Sequence, residues 1–319
     1  MSGVMCQLPW FCFTLEKMHT RHRKRLPLVL GAVFFTCCIA ACESGTRDPA
    51  SDEREAGRRN VDAMSSEHAD DTGTPSPAAA IEPERAVISE ESIAYGEVED
   101  ELVRGHFSVP ADTVPPAALI VIHEWWGLNE GVRAMADRLA GAGYTVLAVD
   151  LFGGRTTLDP NEARSFMLEV VEDPELANEN LRQAYGFLRE VAGAERVGVL
   201  GWCFGGGWSL NTALLFLDEL EAAVIYYGQV TDNEDKLEPL NVPILGLFGE
   251  NDRGITVDTV RAFEQALENL GKDYEIEIYP NVGHAFANPS GNNYNPQIAE
   301  MAWSRTLDFL ARHMAADEE

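Results

Sequence analysis

The chain has 319 residues, 45% of them hydrophobic and 9% aromatic, which suffices for one large folded domain with appendages. Against 24 Lys and Arg stand 52 Asp and Glu, a formal net charge of −28. So acidic a chain argues against nucleic acid or anionic lipid as an electrostatic partner.

Residues 19–25, His-Thr-Arg-His-Arg-Lys-Arg, are strongly basic and follow Met18. An apolar run over 26–41 comes next and ends Ile39-Ala40-Ala41-Cys42. That is the layout of an export signal, and the run is shorter than the roughly 20 residues of a spanning helix. The ending also resembles the lipobox of bacterial lipoproteins, in which the cysteine carries the lipid. Residues 1–42 are therefore expected to be a signal region starting at Met18, with Cys42 lipidated. The chain is then exported and held in the bacterial envelope by that lipid, facing the periplasm. Glu43 after Cys42 favours the outer membrane over the inner. From 43 to 85 the sequence is Ser, Asp, Glu, Arg, Ala and Pro with few large apolar residues, a composition expected of a disordered acidic tether.

Order is expected over 86–319. Two short strand-like runs occupy 87–109, and Ala117–Ile122 is a continuous apolar run, as a buried strand requires. A helix is expected over 131–142 and a buried strand over 144–149. Helix follows over 160–192, broken near Pro174. Strands are then expected from Val197, at 222–227, at 243–248 and at Tyr274–Tyr279. Helices are expected after the Val197 strand, over 257–270 and over Pro296–His313. Buried strands alternating with amphipathic helices predict an α/β fold, a mainly parallel sheet covered on both faces. Function should sit beyond the carboxyl ends of its strands.

The stretch Val197-Gly198-Val199-Leu200-Gly201-Trp202-Cys203-Phe204-Gly205-Gly206-Gly207 joins such a strand to a helix through a Gly-x-Cys-x-Gly turn. That is the context of a nucleophile elbow, with Cys203 where most elbows carry Ser. Cys6, Cys12, Cys37, Cys38 and Cys42 all lie near the start, so Cys203 is the single thiol of the expected domain. No disulfide framework fits there, and no Cys/His spacing suggests structural zinc; neither metal nor cofactor is expected. Asp252 follows one strand in Gly249-Glu250-Asn251-Asp252, and His284 follows another in Gly283-His284-Ala285-Phe286. Nucleophile, acid and His in this order match an α/β-hydrolase triad. Glu250 is the rival acid, one turn position away. The oxyanion hole is expected from the backbone N–H of Phe204 and of Trp125, the latter in the loop after Ala117–Ile122.

His123-Glu124-Trp125-Trp126-Gly127-Leu128-Asn129, Gly-Trp-Cys-Phe-Gly-Gly, Gly-Glu-Asn-Asp and Gly-His-Ala-Phe resemble the dienelactone hydrolase family over about 90–315. The resemblance implies the α/β-hydrolase fold and cofactor-free hydrolysis of lactone or ester bonds by a Cys-His-Asp triad. It also implies that Glu124 pairs with the resting Cys203 thiol. Arg164 would match one of the arginines that hold a substrate carboxylate, and Trp126 would line the substrate site. Asn288 stands where a second such arginine is expected. The implied partner is a small ester or lactone acting on a monomer, through an acyl-Cys intermediate. Two other readings stay open: a non-catalytic binding module on the same fold, and an acyltransferase or thioesterase with the same triad.

Overall fold

The computed structural model describes residues 49–68 and 82–315. The signal region, Cys42 and Met18 lie outside the described residues. Among the described residues no helix is long and apolar enough to cross a membrane.

The elements are α1 (Pro49–Glu67), β1 (Val87–Val98), β2 (Glu101–Pro110), β3 (Ala117–Ile122), α2 (Glu130–Gly141), β4 (Thr145–Val149), α3 (Pro160–Glu172) and α4 (Pro174–Gly186). A π-helical turn, Phe187–Val191, extends α4. Then follow β5 (Arg196–Trp202), α5 (Phe204–Leu215), β6 (Ala222–Tyr226), α6 (Glu234–Leu237), β7 (Ile244–Gly249), α7 (Val257–Asn269), β8 (Tyr274–Tyr279) and α8 (Pro296–His313). The strands form one sheet in the order β1-β2-β4-β3-β5-β6-β7-β8. Strand β2 runs antiparallel to β1 and β4, and every other pairing is parallel.

Local chemistry explains these elements. Strands β3, β4, β6 and β7 are buried along their whole length, as a sheet covered on both faces demands. Hairpin β1–β2 turns on Glu99 and Asp100, both with positive φ, the geometry of a two-residue turn that matches strand twist. The edge strand β8 carries Glu275 and Glu277, which pair with Arg305 and Arg312 of α8 and so put charge on an exposed edge. Pro160 and Pro174 each open a helix, which places the expected break between α3 and α4.

The tether expectation needs correction over part of its length. Pro49–Glu67 is helical and belongs to the same compact unit as the sheet. Its Gly57, Val61 and Met64, with His68 just past its end, recur at spacings of four, three and four, which puts them on one face. Val61, Met64 and His68 are buried. Gly57 meets α3 so closely that a Cβ there would stand 2.7 Å from Val171 Cγ1. Two ion pairs, Arg58–Glu172 and Arg164–Asp62, join α1 to α3, and all four side chains are largely solvent-accessible. Exposed pairs add little, whereas a fully buried Val or Met side chain contributes about 1.5–3 kcal/mol. The apolar face therefore docks this helix; its charges only orient it.

The sheet positions one turn above all. A Cβ on Gly205 would lie 2.2 Å from the Ile122 carbonyl oxygen, and one on Gly201 would lie 2.3 Å from that of Gly205. Both contacts are with backbone, which has no room to yield. Gly205→Ala should therefore cost at least about 2 kcal/mol, a fall in Tm of about 4–8 °C by calorimetry. A wild-type Tm would contradict this account of the elbow.

Candidate active site

Cys203 sits between β5 and α5 with φ 59° and ψ −118°, a conformation L-residues rarely adopt. Its N–H donates to the Tyr226 carbonyl at 3.0 Å, and its carbonyl accepts from Gly207 N–H at 3.2 Å. The turn thus holds the strained residue from both sides and projects the sulfur from the end of β5.

Asp252 follows β7 and is buried. Its Oδ1 accepts from the N–H groups of Gly254 and Ile255 at 2.9 and 2.8 Å, and its Oδ2 accepts from His284 Nδ1 at 2.8 Å. Two backbone donors therefore fix the carboxylate, and the carboxylate fixes the imidazole. His284 Nε2 then faces the Cys203 sulfur, with the two ligand atoms within 4.8 Å. Glu250, the rival acid, accepts from Asn281 N–H at 3.0 Å and supports the turn before His284. The geometry brings Cys203, Asp252 and His284 together as the chain order implied.

Burial opposes a thiolate at Cys203, but the imidazole of His284, with a smaller contribution from His68, outweighs it and brings the thiol down to about 6. Burial likewise opposes an imidazolium at His284, yet Asp252 and the Cys203 sulfur raise it well above the ordinary histidine range. Both directions favour a thiolate–imidazolium pair.

His123 braces the oxyanion loop: Nδ1 donates to the Glu124 carbonyl at 2.6 Å and Nε2 accepts from Leu151 N–H at 3.1 Å. Burial lowers its pKa, in keeping with this neutral tautomer. The N–H groups of Trp125 and Phe204 donate to no carbonyl or side chain among the described residues. Two such donors flanking the nucleophile are what an oxyanion hole requires.

Glu124 was expected to pair with the Cys203 thiol. Its carboxylate accepts from Asn288 Nδ2 and, at 3.5 Å, from the Tyr227 hydroxyl. Beside His284, the sulfur of Met64 in α1 also meets the Cys203 sulfur, with Sγ to Sδ at 3.3 Å. His68 follows Met64 and lies between two rings, 5.1 Å from Trp125 and 5.0 Å from His284. Arg164, expected to hold a substrate carboxylate, instead pairs with Asp62 on the same helix. Met64 and His68 were hidden in sequence by the acidic stretch around them. Tyr227, buried with φ 38° at the end of β6 and 5.1 Å from His284, was missed because it reads as a strand residue. Trp126 lines a small cleft beside the elbow, together with Glu124, Met135, Trp202, Tyr227 and Asn288; neither Cys203 nor His284 is among its lining residues.

The dienelactone hydrolase family profile matches residues 103–314, and the chain belongs to that family. Protein usf of Aquifex pyrophilus is 30% identical over 219 residues, covering 66% of this chain and 94% of that protein. A carboxymethylenebutenolidase homolog of Xenopus tropicalis is 27% identical over 234 residues, covering 70% and 94%. Among solved structures, a candidate dienelactone hydrolase of Klebsiella pneumoniae superposes with TM-score 0.64 at 28% identity, covering 72% of this chain and all of that one. The fold is thus that of the α/β-hydrolases, and the protein is a hydrolase of this family.

Iodoacetamide labelling of Cys203 reports the thiolate fraction, which grows as pH rises through its pKa. The labelling rate should titrate near pH 6. In His284→Ala, burial then dominates and the midpoint should move above about 8.5, the ordinary thiol value. Equal midpoints in the two proteins would contradict the pairing.

Proposed function

We propose that the protein hydrolyses uncharged lactones or carboxylic esters through an acyl-Cys203 intermediate. The observation that carries this reading is the buried relay from Asp252 through His284 to a sulfur at a strained elbow. The Cys203 thiolate attacks the carbonyl carbon, and the resulting oxyanion accepts hydrogen bonds from the Phe204 and Trp125 N–H groups. Collapse breaks the carbon–oxygen bond, and His284 gives its Nε2 proton to the departing alkoxide. His284 then takes a proton from water; the hydroxide attacks the thioester, and the Cys203 thiolate leaves with the carboxylic acid released. Asp252 holds the Nδ1 proton and the charge on the ring throughout.

The cleft supports the choice of an uncharged substrate. No Lys or Arg is among the residues lining it, whereas Glu124 is. An anionic substrate would meet a carboxylate there with no cation to offset it. Asn288, in the place of an expected arginine, is engaged by that same carboxylate. Substrate reaches the sulfur once Met64 moves aside with α1. The signal pattern ending at Cys42 supports a lipid-anchored envelope location.

Cys203→Ala should lose measurable turnover of neutral aryl esters and lactones, and Asp252→Asn should lose about 10⁴-fold in kcat. In the native chain, neutral esters should exceed carboxylate-bearing analogues in kcat/KM. Wild-type turnover by Cys203→Ala would overturn the mechanism.

A further inference from the structure

Helix α1 brings more than bulk to the elbow. His68, Cys203 and His284 offer three ligand atoms within 4.8 Å of one another, all on buried side chains. We propose that docking of α1 completes a site for a thiophilic cation of the zinc class, bound by Cys203 Sγ, His284 Nε2 and His68, which staples the helix over the nucleophile. That such binding holds the enzyme at rest follows from the reading of Cys203 as nucleophile; the site itself does not depend on it.

Three features of the arrangement carry the inference. The donor set, one thiolate and two imidazoles, is the set that zinc prefers. His284 Nε2 is buried and faces the Cys203 sulfur, while Nδ1 is held by Asp252. A carboxylate behind the near nitrogen of a histidine is the outer support that metal-binding imidazoles use. Third, the soft Met64 sulfur lies 3.3 Å from Cys203 Sγ, so a thioether stands beside the thiol and the two imidazoles. Tetrahedral zinc needs ligand atoms about 3.3–3.6 Å apart, so side-chain movements of about 1 Å close the site. Binding expels the proton shared by Cys203 and His284, and the sulfur's electron pair goes to the cation in place of a substrate carbonyl.

The linkage has a definite sign. Two ligands belong to the hydrolase core and one to α1, so the cation binds the docked form more tightly than the undocked one. Cation therefore shifts the population toward the docked form, and its removal frees the helix. Attachment through His68 separates this from simple zinc poisoning of a Cys–His pair, which would need no residue of α1.

The test uses the full chain with Cys6, Cys12, Cys37, Cys38 and Cys42 replaced by Ser, stripped of metal and titrated with Zn²⁺ against a chromophoric chelator without substrate. One equivalent should bind, and His68→Ala should weaken it at least tenfold, within the range of about 10–100-fold for lost metal support. Co²⁺ in place of Zn²⁺ should give a thiolate-to-metal absorption band that Cys203→Ser lacks, and Mg²⁺ should not compete. Equal zinc affinity in wild type and His68→Ala, or a cobalt band that survives in Cys203→Ser, would overturn the proposal. Because the titration involves no turnover, its failure is distinct from retained hydrolysis in Cys203→Ala, which would overturn the functional reading alone.

Discussion

Everything at this site depends on the close approach of α5 to the ends of β3 and β5. Gly201 and Gly205 let the backbones come within a distance at which a Cβ would strike a carbonyl oxygen. That approach holds Cys203 at positive φ, at the first turn of α5. The cost of the strained residue is spread over a buried parallel sheet, which is why the turn stands on its most central strands. Asp252 and His284 lie just past the ends of β7 and β8, so one packing event aligns three distant stretches of chain.

Electrostatics then follow from burial. A thiol and an imidazole placed in the interior would each stay neutral if alone, since desolvation disfavours either charge. Together, and with Asp252 held by two backbone donors, each favours the charged form of the other, the thiol lowered and the imidazole raised. On the proposed reading the pair attacks a carbonyl, and the thioether of Met64 and the imidazole of His68 meet the same sulfur and ring.

The residues most legible in sequence were those whose roles are local or positional. The Gly-x-Cys-x-Gly turn announces its strand and helix by itself, and Asp252 and His284 are marked by lying just past apolar runs. The antiparallel β1–β2 hairpin was also visible as two short runs. What escaped were contacts made between surfaces. The face of α1 carries Gly57, Val61, Met64 and His68 in a strongly charged context, and composition averages that face away. It becomes apolar surface worth burying only when Val171 and the elbow stand opposite. Glu124 and Arg164 were singled out as residues, and the partners they meet, Asn288 and Asp62, lie 164 and 102 positions away. No spacing rule reaches that far.

The central claim is that the sulfur of Cys203 becomes covalently acylated. Intact-protein and peptide mass spectrometry after rapid acid quench, with a neutral aryl ester that deacylates slowly, reads this directly. A mass gain of one acyl group confined to the peptide bearing Cys203, appearing and decaying within turnover, is the predicted result. Steady hydrolysis with no adduct on that peptide, or an adduct on another residue that forms at the catalytic rate, would contradict it.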